Sequence, residues 1–173
     1  MSFPTTHLYF DDLEVGAEWS SGGRTVTETD IVNFAGFSGD FNPMHVDHEF
    51  AKATPFRRPI AHGFAVFSIG SGLGVASPHL RTIAMLRVKY WNFNLPVFAG
   101  DTITVMSRVV EKIIRGRGKR GEVVWHRSIL NQEGKVVQNG EIVLLIEARP
   151  QPRVSAACTA EVVAAPSTNG DGT

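Results

Sequence analysis

The sequence predicts an α+β fold in which an antiparallel sheet wraps around one buried helix. Residues 63–75 are apolar nearly all round, and a helix without a polar side is usually buried. The C-terminal half then supplies four stretches that alternate in polarity or are rich in β-branched residues: 83–94, 101–114, 122–131 and 135–147. Turns that contain glycine separate these stretches, so we expect long antiparallel strands packed against the helix.

Three glycines, Gly70, Gly72 and Gly74, interrupt the predicted buried helix. Each lowers the helix propensity by about 1 kcal/mol relative to alanine. We expect that a strongly curved sheet packs very closely against the helix at these positions.

The N-terminal half mixes a short strand with helices. Residues 19–26 are predicted to form a strand or an extended lead-in. Thr27 begins the acidic turn Thr-Glu-Thr-Asp and predicts the N-cap of a helix whose end is bracketed by Gly36 and Gly39. The segment 40–45 is predicted to be a tight loop, stiffened by a proline that stops the helix, and 47–53 a short amphipathic helix.

Length and composition restrict the class of protein. The 173 residues suffice for one domain with a hydrophobic core, expected at 1–153, followed by a flexible tail at 154–173. The 17 basic and 17 acidic residues cancel, so neither nucleic acid nor a membrane surface is an expected partner. Cys158 is the single cysteine, which excludes an intrachain disulfide. We expect a cytoplasmic protein, since no membrane-spanning run or secretory signal is visible.

The residues with the clearest chemical potential lie in two short blocks. The first block, residues 38–47, places the Asp40 carboxylate and the His45 imidazole five positions apart. The second block, residues 61–64, opens the buried helix and offers backbone N–H groups at its start. A proton-handling pair beside fixed N–H donors is the equipment needed for chemistry next to a carbonyl group.

The same residues also have structural interpretations. Asp40 can close an Asx turn or cap the helix that follows. His62, beside the helix start, is expected to be a hydrogen-bonded structural histidine. No metal site is expected, because His45, His62 and their acidic and histidine neighbours match no standard ligand spacing. A hydrolase triad with Ser71 is not expected either, because the sequence has no Gly-x-Ser-x-Gly elbow.

Three blocks of sequence resemble the motifs of one known family. They are 38–47 (SGDFNPMHVD), 58–63 (RPIAHG) and 93–102 (FNLPVFAGDT). Together they are similar to the MaoC-like, (R)-specific enoyl-CoA hydratases of the hotdog fold, and the similarity extends from about Phe10 to Ala148. The resemblance implies a long central helix cradled by a curved antiparallel sheet, and a homodimer or higher homo-oligomer. It also implies reversible hydration of trans-2-enoyl-CoA to (R)-3-hydroxyacyl-CoA.

The resemblance further implies roles for individual residues. Asp40 and His45 fall on the catalytic pair, and which of them takes the proton from water stays open. Gly63 falls on the glycine whose N–H polarises the thioester carbonyl, and Asn42 on a position that supports the loop. Ser71 falls where family members often carry a serine near the pair.

Substrate contacts are predicted around these residues. Phe41 and Phe64 are candidate walls of an acyl pocket, and Phe64 replaces a smaller or unbranched residue common in the family, which leaves the acyl preference open. Candidate partners of the CoA phosphates are Lys52, Arg57 and Arg58. The basic run 115–120 (RGRGKR) is interpreted as a solvated hairpin tip, with phosphate contact as the alternative.

Acyl-CoA is thus the expected partner, and no cofactor is expected beyond the CoA of the substrate. Two other functions stay open for the same fold. A thioesterase would direct water to the thioester carbon, and a non-catalytic hotdog protein would bind acyl-CoA without turnover.

Overall fold

The computed structural model describes residues 7–150, and its strands form one antiparallel sheet. The strands are β1 (Glu18–Ser20), β2 (Arg24–Thr25), β3 (Thr82–Phe93), β4 (Thr102–Arg115), β5 (Arg120–Leu130) and β6 (Val136–Glu147). Their order across the sheet is β1-β4-β5-β6-β3, and β2 pairs with β4. The four long strands predicted from the sequence are confirmed, with small shifts at their ends.

The helix predicted at 63–75 is present with the predicted bounds, and it is the longest of four α-helices in the described part of the chain. Its predicted burial is only partly confirmed, because Phe64 and Val75 are exposed. The helices are α1 (Glu28–Ser38), α2 (Pro43–Val46), α3 (His48–Lys52) and α4 (Gly63–Val75). Val66 of α4 belongs to a core cluster with Val105, Ile129 and Val137 of the sheet. This packing makes α4 the helix around which the sheet is built.

A second core cluster covers the rest of the sheet. It groups Trp125 of β5 and Ile142 of β6 with Phe10 and Leu13 from the N-terminal segment. Trp19 of β1 packs against the same cluster, with its ring centroid 5.7 Å from that of Trp125.

Two of the three helix glycines bring α4 close to the sheet. A Cβ atom on Gly70 would collide with the side chain of Ile129, and one on Gly74 would lie 2.6 Å from Cζ of Arg127. At Gly72, no atom of the described residues outside the helix's own backbone lies within 4 Å of the position of a Cβ. The close approach predicted from the sequence is therefore confirmed at Gly70 and Gly74 and is wrong at Gly72.

The start of α1 is stabilised by a reciprocal capping box. Thr27 Oγ1 accepts a hydrogen bond from the Asp30 N–H at 3.1 Å, and Asp30 Oδ2 accepts one from the Thr27 N–H at 2.8 Å. The helix ends at Gly39, whose φ of 77° lies in the left-handed region. The predicted N-cap is confirmed, and Gly36 lies inside the helix, which continues to Ser38.

The segment 40–45 is not only a loop, which corrects the sequence prediction. Pro43 is the first residue of the short helix α2, and Asn42 is its N-cap. A proline is well placed at this position because the first helical N–H needs no partner within the helix. Helix α3 follows with Asp47 as its N-cap, as predicted for residues 47–53.

The remaining N-terminal prediction is partly confirmed. Residues 19–26 contain two short strands, β1 and β2, with an interruption at 21–23. The predicted tail at 154–173, with Cys158, lies outside the described residues, and the domain boundary at 153 stays a prediction. No helix within residues 7–150 is long and apolar enough to cross a membrane.

Within residues 7–150, strand β3 lies at the edge of the sheet and pairs only with β6. It exposes a series of large apolar side chains: Ile83, Met85, Leu86, Val88, Tyr90 and Phe93. A long apolar edge strand is a template for pairing with another chain.

Candidate active site

The backbone holds the His45 side chain in one orientation. Its Nδ1 atom lies 2.7 Å from the carbonyl oxygen of Ile60. Because a carbonyl oxygen only accepts, Nδ1 carries the proton, and Nε2 of the neutral ring presents a lone pair. Helix α2 and the Ile60 carbonyl thus fix which nitrogen is available for chemistry.

The Asp40 carboxylate faces that nitrogen. Its Oδ2 atom lies 3.9 Å from His45 Nε2, too far for a direct hydrogen bond but a separation that one water molecule can bridge. Its Oδ1 atom accepts a hydrogen bond from the Asn42 N–H at 3.2 Å, which is the Asx turn of the structural interpretation. The Asp40 side chain is 53% exposed, so the other residues of this one chain do not bury it.

His62 positions both members of the pair. It is 3% exposed, and its ring stacks on the ring of His45 with centroids 3.8 Å apart. Its Nε2 donates a hydrogen bond to the backbone carbonyl oxygen of Asp40 at 2.9 Å. The hydrogen-bonded structural histidine predicted from the sequence is therefore present, and its bond holds the Asp40 backbone in place.

Asp40, His45 and His62 also form a group with the residue types of a metal site, which the sequence spacing did not predict. One potential ligand atom from each lies within 4.8 Å of the others. The Nε2 atom of His62 is occupied as a donor to the Asp40 carbonyl, so the lone pair of the neutral ring lies on Nδ1, which is buried. Two ligand atoms are then left, fewer than the three of a catalytic zinc site. We derive no metal-dependent step, and the expectation of no metal stays a prediction.

Gly63, the first residue of α4, offers its backbone N–H to the site. This N–H has no acceptor within the described part of the chain, as expected for the first turn of a helix. The Gly63 carbonyl oxygen accepts a hydrogen bond from Gln138 Nε2 at 2.9 Å, and Gln138 Oε1 accepts one from Trp91 Nε1 at 2.9 Å. A Cβ atom on Gly63 would lie 2.8 Å from the ring of Phe93, so a larger residue would displace that ring.

His45 and Gly63 open into one cavity of about 500 Å³. Most of its other walls are apolar: Phe56, Ile60, Ala61, Phe64, Val66, Phe93, Leu95, Pro96 and Val97. An apolar cavity with a few polar groups at one place suits a ligand that is mostly hydrocarbon and carries one polar functional group.

Of the other predicted site residues, some lie at the candidate active site and others do not. Asn42 caps α2, with its Oδ1 accepting from the Met44 N–H at 3.2 Å, and so supports the turn that carries His45. Phe64 lines the cavity, whereas Phe41 is exposed and is absent from the cavity walls.

Ser71 is not beside the pair within one chain, contrary to the expected position. It lies eight residues after Gly63 on the same helix, which corresponds to about 12 Å along the helix axis. It lines a separate cavity together with Arg127. Its catalytic role stays a prediction.

The three candidate phosphate partners also lie outside the walls of the cavity. Lys52 Nζ lies 2.6 Å from Glu49 Oε1, and the guanidinium of Arg58 lies 4.0 Å from the centroid of the Phe98 ring. Arg57 is exposed and has a φ of 64°, in the left-handed region. Contact of any of them with CoA stays a prediction.

The basic run 115–120 lies at the turn between β4 and β5, as the hairpin-tip interpretation predicts. Arg115 at its start is paired with Glu122, with Nε and Oε1 2.9 Å apart. Phosphate contact by this run stays a prediction.

Reasoning from sequence missed three buried polar residues, Ser107, Arg127 and Gln138. On β5 the side chains of Val123, Trp125 and Ile129 are buried, and Arg127 lies in the same phase of the alternation. A polar residue in phase with buried apolar ones was the available signal.

The family of the chain follows from comparison with known proteins. A family model described as MaoC like domain matches residues 14–128. The chain belongs to the MaoC-like domain family. It is 34% identical over 142 residues to an (R)-specific enoyl-CoA hydratase of Rhodospirillum rubrum, covering 82% of this chain and 93% of the relative. It is 37% identical over 114 residues to a 3-hydroxybutyryl-CoA dehydratase of Methylorubrum extorquens, covering 65% of this chain and 71% of the relative.

Solved structures agree with this family. A MaoC-like dehydratase from Rhodospirillum rubrum aligns with a TM-score of 0.74 at 27% identity, covering 83% of this MaoC-like chain and 99% of that one. A Mycobacterium tuberculosis protein with a double hotdog fold aligns with a TM-score of 0.74 at 19% identity, covering 94% of this chain and 53% of that one, which bears on the fold alone. The hotdog fold and the family predicted from the sequence are confirmed, and the relatives identify this MaoC-like protein as a hydro-lyase.

Proposed function

We propose that the chain catalyses the reversible hydration of trans-2-enoyl-CoA thioesters to (R)-3-hydroxyacyl-CoA. The observation that carries the proposal is the 3.9 Å separation of Asp40 Oδ2 and His45 Nε2, together with the cavity that His45 shares with Gly63, although Asp40 is not among its walls. The relatives named as an (R)-specific enoyl-CoA hydratase and a 3-hydroxybutyryl-CoA dehydratase support the substrate class and both directions of the reaction.

Hydration begins at a water molecule held between Asp40 and His45. As its oxygen forms a bond to C3 of the enoyl chain, the water loses a proton to the pair, and the pair returns a proton to C2. The lone pair on His45 Nε2 and the carboxylate of Asp40 are both able to accept. Which of the two takes the proton from water stays open.

Negative charge develops on the thioester oxygen between these two proton transfers. The Gly63 N–H supplies a hydrogen bond to that oxygen, and the positive end of the α4 dipole adds to the stabilisation. The missing side chain of Gly63 lets the thioester approach the amide. The apolar walls of the cavity then receive the acyl chain.

We propose that the working form is a homodimer in which the apolar edge strand β3 is covered by a second copy. The exposed apolar side chains of β3 support this assembly. The CoA phosphates then have the exposed cations Lys52, Arg57 and Arg58 as candidate partners.

The proposed function is tested by following the loss of enoyl-thioester absorbance with crotonyl-CoA. Asp40→Asn and His45→Ala are each expected to lower kcat by about 10²–10⁴-fold, the usual contribution of a positioned general acid or base. His48→Ala is the matched control, because His48 is exposed and lies three residues from His45. It is expected to retain the wild-type rate.

Two results would contradict the proposal. Near wild-type turnover by Asp40→Asn or His45→Ala would remove the pair from the mechanism. Release of free thiol from saturated acyl-CoA, without hydration of crotonyl-CoA, would identify a thioesterase instead.

A further inference from the structure

A second cavity lies at the far end of α4 from Gly63. It has a volume of about 300 Å³, and its walls include Ser71, Gly74, Leu80, Arg127 and Leu144. None of the proposed catalytic groups Asp40, His45 and Gly63 is among its walls. It is therefore a separate feature of the fold.

Arg127 gives this cavity a buried positive charge with hardly any partner. The residue is 5% exposed. Its Nη2 makes one long contact, 3.5 Å, with the carbonyl oxygen of Gly74, and its Nε is buried without a hydrogen bond. Among residues 7–150, no carboxylate lies within 4 Å of the guanidinium.

The charge is retained under physiological conditions. Burial lowers the pKa of Arg127 to about 10, so the guanidinium is still protonated at neutral pH. The C-terminal end of α4, where Gly74 lies, offers only the partial negative charge of a helix dipole. A buried cation without a full counter-charge destabilises the fold, which indicates that another molecule supplies the missing negative group.

The fold makes room for this cation. A Cβ atom on Gly74 would lie 2.6 Å from Cζ and Nη1 of Arg127, so a larger residue at this position would displace the guanidinium from the helix. On β5 the inward neighbours Trp125 and Ile129 belong to the two core clusters, and Arg127 lies between them.

The walls of the cavity restrict the chemistry of the missing group. They offer one guanidinium and the hydroxyls of Ser71 and Thr82, and the hydroxyl of Ser71 makes no hydrogen bond within the described chain. Most other walls are apolar, among them Leu80, Met85 and Leu144. One cation and two hydroxyl donors match a single carboxylate on an alkyl group, whereas a phosphate dianion would need more cationic donors.

We propose that this cavity binds a carboxylate group, held by the guanidinium of Arg127 and the hydroxyl of Ser71. Because this cavity shares no wall residue with the cavity of His45 and Gly63, the proposed source of the carboxylate is a free dicarboxylate. The acidic acyl chain of an enoyl-CoA thioester, which rests on the proposed function, is the other source of the same chemical group, and the experiment separates the two sources.

The first measurement compares two substrates on the wild-type protein and on Arg127→Leu. Both are 2-enoyl-CoA thioesters of equal carbon number, one ending in a carboxylate and one in a methyl group, and a series of chain lengths is assayed. For the acidic substrate, kcat/KM is expected to fall by about 10–100-fold in Arg127→Leu, the usual value of a charge-assisted hydrogen bond. For the methyl-terminated substrate it is expected to change little. Arg127→Lys, which keeps the charge, is expected to retain part of the acidic preference.

The second measurement uses thermal unfolding with and without glutarate, a free dicarboxylate. Arg127→Leu is expected to unfold at or above the wild-type temperature, because the substitution removes an unpaired buried charge. A purely structural role of Arg127 at the end of α4 would instead lower that temperature. Arg108→Leu is the matched control, since Arg108 is an exposed arginine on the neighbouring strand β4.

Each outcome decides the proposal. Loss of the acidic preference in Arg127→Leu supports the substrate as the source, and a glutarate-induced stabilisation that only wild type shows supports a free carboxylate. Absence of both effects overturns the carboxylate site, as does a change of oligomeric state in Arg127→Leu, which would assign the counter-charge to a second copy. If wild type hydrates no enoyl-CoA at all, the hydratase proposal fails, and the glutarate measurement alone decides the cavity.

Discussion

Two histidines in van der Waals contact have different roles because their ring nitrogens have different partners. His45 donates through Nδ1 to the Ile60 carbonyl and so presents Nε2 to the site. His62 donates through Nε2 to the Asp40 carbonyl and turns its other nitrogen into the protein. The hydrogen-bond acceptor, rather than the residue type, therefore decides which imidazole faces the water molecule.

His62 is a positioning residue, and its removal is predicted to slow the reaction without unfolding the chain. His62→Leu loses the hydrogen bond to Asp40, and we expect kcat with crotonyl-CoA to fall by about 10–100-fold, since a small displacement of reacting groups has effects of this size. His62→Gln keeps an N–H donor of similar reach, and we expect it to recover most of the rate. Equal losses of kcat in the two variants, matched by equal losses of thermal stability, would show that His62 only fills space.

At the scale of elements, the glycines of α4 lower its helix propensity but allow close packing against the sheet. Gly70 and Gly74 lie against Ile129 and Arg127, where a side chain has no room. Tertiary packing therefore outweighs the lower helix propensity of glycine at these two positions. At Gly72 no close packing within the described part of the chain compensates for the lower helix propensity of glycine.

Substitution by alanine is predicted to have opposite effects on the free energy of unfolding at Gly70 and at Gly72. Gly70→Ala places a Cβ atom against the buried Ile129 side chain, and overpacking of this kind lowers the free energy of unfolding by about 1–3 kcal/mol. Gly72→Ala meets no atom and is expected to raise the free energy of unfolding by about 0.5–1 kcal/mol. Denaturant unfolding of both variants measures the difference, and a loss of stability in Gly72→Ala would reveal a contact made by a second copy.

At the scale of the whole molecule, the two edges of the sheet differ in length and in the side chains that they expose. Short β1 and β2 pair with parts of β4, whereas the twelve residues of β3 lie at the opposite edge with large apolar side chains exposed. Burial of these side chains requires a second surface, and an isologous pairing of β3 with its own copy supplies one.

The homodimer is tested by placing a charge on this edge. Val88→Lys, on β3, is expected to convert the dimer into a monomer in sedimentation or light-scattering experiments, because a lysine on an edge strand opposes pairing. Val110→Lys is the matched control, since Val110 is 40% exposed and Val88 43%, but Val110 lies on the interior strand β4. A wild-type monomer, or a dimer that survives Val88→Lys, would contradict the proposed interface.

The sequence by itself determined the elements whose cause is local. The bounds of α4, the capping box at Thr27 and Asp30, and the four long strands follow from periodicity, capping residues and turns. The hotdog fold came from the resemblance of three short blocks, because strand order depends on contacts between residues far apart in the chain.

Only the tertiary structure decided which residues meet. Asp40 Oδ2 lies 3.9 Å from His45 Nε2, a separation that one water molecule can bridge, and the His62 ring stacks on the His45 ring. Ser71 lies away from these residues and lines the cavity of Arg127. Spacing along a chain does not determine such distances, since they are set by where separate elements cross. The burial of the Arg127 charge likewise depends on tertiary structure, because α4 and the sheet form its environment rather than its neighbours in sequence.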